Sequence, residues 1–343
     1  MKVGLDAQLT LGTATGIGEY VAGLLAALPA AGIDARALAA PALDPWRFDR
    51  RLIWDQLLLP LAARRARVDL LHCAAGTMPL ARTLPVVTTV HDVAWLRVQT
   101  HARAYARWYF GRFALARYRG ARRIVVDSAF SRDELLTFAA LDPAHVEVVH
   151  PGVAEDVRAL VRRPAHEPFF LAVGTVEPRK NLEVVIRALA AVPGARLIAA
   201  GPATPYQQTC ARLAQECGVA ARVTFAGYVA RRELLDLYAR AAAAVVPSRY
   251  EGFGYGAAQA LCAGVPLVAS GGSSLDEVVA GAAPQVAADD VAGWRDALCA
   301  LLAGRDEAER HAAAQRPRAL VRFAWEAAAA AMAGVYRRAL APA

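Results

Sequence analysis

At 343 residues the chain is long for one hydrophobic core, so two domains are expected. Its 39 basic residues against 31 acidic ones leave a formal charge of +8, which favours phosphates, nucleic acid or acidic lipid headgroups without choosing among them. Five scattered cysteines with no CxxC pair indicate neither a disulfide framework nor a zinc knuckle, and fit a reducing cytosol.

The N-terminus leads straight into a strand-like stretch rather than a signal peptide, and the apolar region from Val21 to Leu43 is interrupted by Pro29, Gly32 and Asp34. No membrane span is expected. Short apolar runs follow one another with helix-length stretches between many of them: "KVGLDA" (2–7), "VDLLHCA" (68–74), "VVTTVHD" (86–92), "RIVVDS" (123–128) and "VEVVHPG" (146–152). Continuous apolar runs of this length predict buried parallel strands. The charged segment 153–168, with two prolines and no apolar period, reads as a linker.

The alternation restarts at "FFLAVGT" (169–175), "ARLIAAG" (195–201), "VTFAGY" (223–228), "AAAVVPS" (242–248) and "PLVAS" (266–270). The expected architecture is therefore α/β, with two doubly wound Rossmann-like domains whose strand C-terminal ends flank a central cleft. We place the first domain at 1–153, the second at 168–320, and a C-terminal helix at 321–343 that crosses back to the first domain.

Two loops carry the chemistry. In "VGTVEPRKNLEVVIRAL" (173–189) a strand runs into a loop with Arg179 and Lys180, and then into a helix that Asn181 is placed to cap. Two cations beside a helix N-terminus suit a phosphate or diphosphate. Lys180 stands out because the chain has only two lysines against thirty-seven arginines. A solvated charged turn is the plainer reading of the same residues. In "VVPSRYEGFGYGAAQALCAG" (245–264), the glycines at 252, 254 and 256 let main-chain N–H groups approach a ligand behind Glu251, ahead of a helix ended by Gly264. Glycines serving only the turn are the alternative there.

Other features are weaker. "GTATGIGEYVAGLLAAL" (12–28) lacks a full GxGxxG, so no dinucleotide fingerprint is supported. His91 and Asp92 end a strand on the expected cleft side, where a lone histidine is more often structural. The segment 101–123 interleaves seven arginines with six aromatics and suits either an acidic membrane surface or an ordinary amphipathic helix packed on its own sheet. Nucleic acid is disfavoured without a recognised fold signature. The scattered histidines give no metal site, Asp289 and Asp290 look like a helix start, and a serine hydrolase lacks its GxSxG.

Together "GIGEYVAGLLAAL", "HDVAWLR", "VDSAFSRDEL", "VVHPGV", "FFLAVGTVEPRKNLEVVIRAL", "VTFAGYV", "YEGFGYGAAQALCAGVPLVAS" and "FAWEAAAAAMAGVYRRAL" resemble the retaining glycosyltransferases of the GT-B fold, family 4, in the manner of bacterial mannosyltransferases. The likeness covers nearly the whole chain. It implies metal-independent transfer of a hexose, mannose by preference, from a nucleotide diphosphate sugar to a lipid-linked or saccharide acceptor in surface polysaccharide synthesis. GDP-mannose is favoured over a UDP-sugar, and no cofactor is required.

By that resemblance His91, Glu251, Lys180 and Arg179 form the catalytic set, the two cations neutralising the diphosphate, Glu251 holding the sugar and His91 meeting its hydroxymethyl side. Gly16, Gly174, Gly252, Phe253, Gly254 and Tyr255 would contact the donor, with Tyr228 and Val229 near the base. The pattern departs at Gln259, where the family has a glutamate for the ribose hydroxyls, and at Gly256, where proline is common. The resemblance implies a cytoplasmic enzyme, either free or peripheral at the inner membrane face through 101–123. The rival reading, motivated by Gln259, is an idle homologue that binds another transferase at the membrane. A sugar-nucleotide epimerase would need further acid/base groups, and a nicotinamide dehydrogenase its missing fingerprint.

Overall fold

The structure is a computed structural model and describes residues 1–12, 16–97 and 108–342. Residues 13–15 of the first glycine loop and 101–107 of the arginine-rich segment therefore lie outside the described residues. The chain divides into two compact units, one formed by Met1–Ala154 with Phe323–Ala343 and the other by Glu155–Arg322.

The first unit holds a six-stranded parallel sheet in the order β2-β1-β3-β4-β5-β6. Its strands are β1 (Lys2–Asp6), β2 (Asp34–Leu38), β3 (Leu70–Cys73), β4 (Val86–Val90), β5 (Arg123–Val126) and β6 (Val146–Val148). The central strands are buried end to end, as apolar runs covered on both faces must be. β2, "DARAL", is a largely exposed edge strand whose residues make no apolar run, so sequence pattern alone does not reveal it. One face of the sheet is covered by helices Gly16–Ala27 and Trp325–Leu340, whose Tyr20, Leu24, Met332 and Tyr336 pack on Val3, Leu5 and Val87. In the described part of the arginine-rich segment, Tyr109 and Tyr118 are turned into the core, so this part packs as an amphipathic helix on its own sheet.

The second unit holds another six-stranded parallel sheet, ordered β12-β11-β10-β7-β8-β9. Its strands are β7 (Phe169–Val173), β8 (Arg196–Ala200), β9 (Val223–Gly227), β10 (Ala243–Val246), β11 (Leu267–Ser270) and β12 (Gln285–Val286). Strand order runs one way from β7 to β9 and the other way from β10 to β12. The β7–β10 neighbours are thus the topological switch point, where loops leaving the two strands diverge and open a crevice.

The segment read as a linker is packed into the second unit. Val157 is fully buried, and the Arg162 guanidinium donates to the carbonyls of Ala239 (2.9 Å) and Ala241 (2.6 Å). Those carbonyls lie at the end of helix Arg231–Arg240, where orphan acceptors attract a cation, so a stretch without apolar period is held by charge and hydrogen bonding instead.

Candidate functional site

Both motif loops of the second unit leave the sheet at its switch point. The loop after β7 begins at Gly174, with φ at +130°, a conformation that side-chain-bearing residues rarely adopt. It continues through a single 3-10 turn, Pro178–Lys180, into helix Leu182–Leu189. Asn181 occupies the N-cap position but makes no side-chain cap, contrary to expectation. Its backbone is left-handed (φ 53°), and its fully buried amide donates to the carbonyls of Pro247 (3.1 Å) and Ala288 (2.7 Å), which ties the first loop to the second. Asp290 starts helix Val291–Ala303 as expected, accepting from the Gly293 amide.

The loop after β10 carries Glu251 into helix Tyr255–Ala263, which Gly264 ends in a left-handed conformation. Gly254 sits at the N-cap with φ at +91°, and a Cβ there would lie 2.6 Å from Leu275 Cδ2, so only glycine fits. Phe253 is buried and meets the Tyr255 ring edge-on at 5.6 Å. The first amides of this nine-residue helix stand directly behind Glu251.

The two loops meet at the Glu251 carboxylate, which is 5% exposed. Lys180 Nζ donates to Oε1 at 2.6 Å, Ser248 Oγ donates to the same oxygen at 2.6 Å, and Arg179 Nη1 donates to Oε2 at 3.1 Å. Arg179 is shared, since its Nε pairs with Glu177 at 2.8 Å. Burial pushes the Glu251 carboxyl up, but Lys180 and Arg179 beside it more than offset this and hold it down at about 2. It is therefore an ionised acceptor at neutral pH. A hollow of about 20 Å³ beneath this cluster is lined by Gly174, Thr175, Lys180, Ser248, Glu251 and Gly256.

The remaining sites are more dispersed. Gln259 lies in the second turn of helix Tyr255–Ala263, nearly buried, and its Oε1 accepts from Tyr238 Oη at 3.0 Å. Tyr228 and Val229 follow β9, two strands from β7, or about 10 Å across the sheet. Tyr228 is 53% exposed, available to stack on a planar group.

In the first unit, Gly16 opens helix Gly16–Ala27, and a Cβ there would meet nothing within 4 Å among the described residues. His91 follows β4 with both ring nitrogens facing acceptors: Asp127 Oδ2 lies 2.7 Å from Nδ1 and the Ala74 carbonyl 2.9 Å from Nε2. Only the doubly protonated ring satisfies both. Burial disfavours that cation, yet Asp127, the Ala74 carbonyl and Asp92 together outweigh the burial and the His91 pKa is raised. By contrast His72, fully buried and near charged His91, is pushed down to about 3 and stays neutral. Sequence reasoning missed Asp127 and Ser248. Ser248 stands three residues before Glu251, a spacing that was legible, whereas Asp127 reaches His91 only through the pairing of β4 with β5.

Two parallel six-stranded sheets, each flanked by helices, with a charged crevice at the switch point of the second, define the two-domain GT-B glycosyltransferase fold. Residues 154–317 match the family model described as "Glycosyl transferases group 1", and residues 14–157 match the one described as "Glycosyltransferase Family 4". The chain is similar to the D-inositol 3-phosphate glycosyltransferase of Mycolicibacterium paratuberculosis, with 35% identity over 239 residues, covering 64% of this chain and 53% of the relative. The chain thus spans about half the length of the curated relatives it matches.

Among solved structures, sucrose-phosphate synthase (tll1590) from Thermosynechococcus elongatus has a TM-score of 0.79 at 21% identity over 98% of both chains. Anabaena Alr3699/HepE in complex with UDP-glucose has a TM-score of 0.74 at 16% identity, over 98% of this chain and 99% of that one. At these identities the likeness is one of fold.

Proposed function

We propose that the protein is a retaining glycosyltransferase that moves a hexose, with mannose and GDP-mannose as our choice of sugar and donor, to an acceptor hydroxyl. The observation that carries this reading is the meeting of Lys180, Arg179 and Glu251 at the switch point, directly ahead of the N-terminus of helix Tyr255–Ala263. Glu177 and Glu251 balance the two cations in formal charge. What remains for an incoming diphosphate is directional: Lys180 has three hydrogens, of which Glu251 takes one, and the helix end adds aligned N–H donors.

Breaking the anomeric C–O bond sends the electron pair to a diphosphate oxygen while the sugar carbon becomes cationic. Fixed cations and amides at the diphosphate then stabilise the transition state more than the ground state, and this contribution needs no metal ion. The acceptor oxygen attacks from the face the leaving group departs, and its proton passes to the departing diphosphate oxygen. Glu251, kept ionised and acceptor-only, suits the sugar's hydroxyls, and the exposed Tyr228 ring suits a base.

A thermal-shift screen tests the reading, with GDP, UDP, GDP-mannose and UDP-glucose as ligands, the last because a GT-B neighbour is solved with it. At a ligand concentration about 100 times Kd, binding to the folded form alone adds about 2.7 kcal/mol. A rise in Tm for at least one diphosphate, lost in Lys180→Met, is expected; no response to any of them would overturn the reading. Product anomer by NMR tests retention, and turnover in chelator tests metal independence. Lipid-linked saccharides are the acceptors we favour, and the name of the mycobacterial relative adds D-inositol 3-phosphate to that panel.

A further inference from the structure

The amino-terminal ends of β5 and β6 border a hollow of about 430 Å³ in the first unit, whose charged lining is Arg119, Arg122, Arg123, His145 and Arg338. The chain path puts them there. Helix Ala114–Tyr118 ends just before Arg119, β5 opens on Arg123, the turn Pro143–His145 leads into β6, and helix Trp325–Leu340 brings in Arg338. His91 and Asp127 follow β4 and β5 at the carboxyl edge of the same sheet, where ligands of open α/β folds are held. The four residues of β5, roughly 13 Å of strand, separate that edge from the hollow.

A single exposed arginine means little in a chain with thirty-seven of them. Elsewhere on the described surface, however, arginines face acids, as Arg36 does Asp34, Arg97 does Glu134 and Arg249 does Asp289. Around the hollow that compensation is incomplete. None of its described lining residues is a carboxylate. Glu147 is shared between Arg123, whose Nε lies 3.3 Å away, and Arg338, which donates to both its oxygens. Arg119 donates to the Ala140 carbonyl at 3.1 Å, and the Arg122 side chain pairs with no described residue. His145 faces Asp142 at 3.2 Å.

Arg82 adds a further cation. A Cβ on Gly120, which also lines the hollow, would collide with the Arg82 guanidinium, so this group rests against bare backbone at the rim. It too has no partner among the described residues. Five guanidinium groups, on Arg82, Arg119, Arg122, Arg123 and Arg338, therefore gather around one concave space with Glu147 as the carboxylate they share.

Guanidinium forks take phosphate oxygens two at a time, and mutually repelling cations are drawn together better by a multivalent anion than by a monovalent one. The volume is that of a small-ligand pocket rather than a polymer groove. We propose that this hollow binds a soluble polyvalent phosphate of the di- to triphosphate class. The site lies in the other unit from the donor crevice, and the proposal is independent of the donor reading.

Hydrogen exchange of the full chain with inorganic tripolyphosphate tests it, because the readout is local. Slowed exchange at 119–123 and 337–341 is expected, weakened by salt. In Lys180→Met any protection of the loops 174–181 and 248–256 should fall while that at 119–123 stays, so the two sites are read separately. In Arg82→Gln/Arg122→Gln the tripolyphosphate concentration giving half-maximal protection of 119–123 should rise roughly tenfold or more. Neither side chain has a partner among the described residues, so this variant should keep the wild-type Tm without ligand, which separates lost binding from lost folding.

Unchanged exchange at 119–123, equal protection by inorganic phosphate at the same concentration, or an unshifted midpoint in the double variant overturns the proposal. So does protection of 119–123 by phosphatidylglycerol vesicles but not by tripolyphosphate, since the anion recognised is then not a soluble one.

Discussion

Lys180 and Glu251, 71 positions apart, share a hydrogen-bonded ion pair of 2.6 Å, and Ser248 Oγ closes on the same carboxylate oxygen at 2.6 Å. The pair sits where β7 and β10 lie side by side, so each loop fixes the other. A buried carboxylate is costly unless paired, and this one is tied to two cations and a hydroxyl. Its protonation state therefore reports directly on the integrity of the site.

The folded-state pKa of Glu251 lies below its ordinary 4.5, at about 2, so its stabilisation is present above the unfolded value and is lost as pH falls through the folded one. The pH-dependent part is about 3 kcal/mol. Urea unfolding of wild type and Glu251→Gln should show a wild-type stability loss between pH 4.5 and 2 that the variant lacks. Parallel pH curves would show that the carboxylate is not held this way.

Gly254 and Gly256 should respond oppositely to alanine. At Gly254, φ of +91° and the Leu275 contact of 2.6 Å predict that Gly254→Ala costs roughly 1–3 kcal/mol and weakens nucleotide binding. At Gly256 a Cβ would meet its nearest neighbour, the Val173 carbonyl oxygen, at an ordinary 3.6 Å within the first turn of the helix. Gly256→Ala should stabilise by roughly 0.4–1 kcal/mol. Denaturant midpoints of the two variants check both signs.

His91 should carry protons on both ring nitrogens at neutral pH, visible in its imidazole nitrogen shifts. Asp127→Asn removes the carboxylate that raises its pKa and should bring the neutral ring into the physiological range. Because the folded pKa is raised, the stabilisation from this pair is fully present below the unfolded value of about 6.5 and fades as pH rises through the folded value. The Tm difference between wild type and variant should shrink accordingly toward alkaline pH. A neutral ring in wild type at pH 7 would contradict this.

Gln259→Glu preserves the oxygen that accepts from Tyr238 Oη. If the side chain reaches a ribose, a charged acceptor improves on a neutral one, and donor affinity should stay equal or tighten by up to about tenfold. Calorimetry decides: a large loss of affinity removes Gln259 from the donor site.

Ten of the twelve strands were legible because a buried parallel strand needs a short, continuous apolar run, which is a local property of sequence. "DARAL" at the β2 edge, which lacks such a run, and the two-residue β12 were missed, because strands this exposed or this short leave no apolar signal. The glycine turns, Lys180 and Glu251 were legible for the same local reason: a left-handed turn, or a cation ahead of a helix, is encoded within a few residues.

By itself, the sequence determined the alternation of strands and helices, the punctuating glycines and the types of charge at each loop. The tertiary structure alone decided that β10 lies against β7, that Asp127 lies against His91, that the Asn181 amide ties two loops rather than capping its helix, and that segment 155–168 is held within the second unit. The reason is that strand order and side-chain partnership depend on contacts between residues tens of positions apart. Their stability comes from packing the whole core, which no local pattern records.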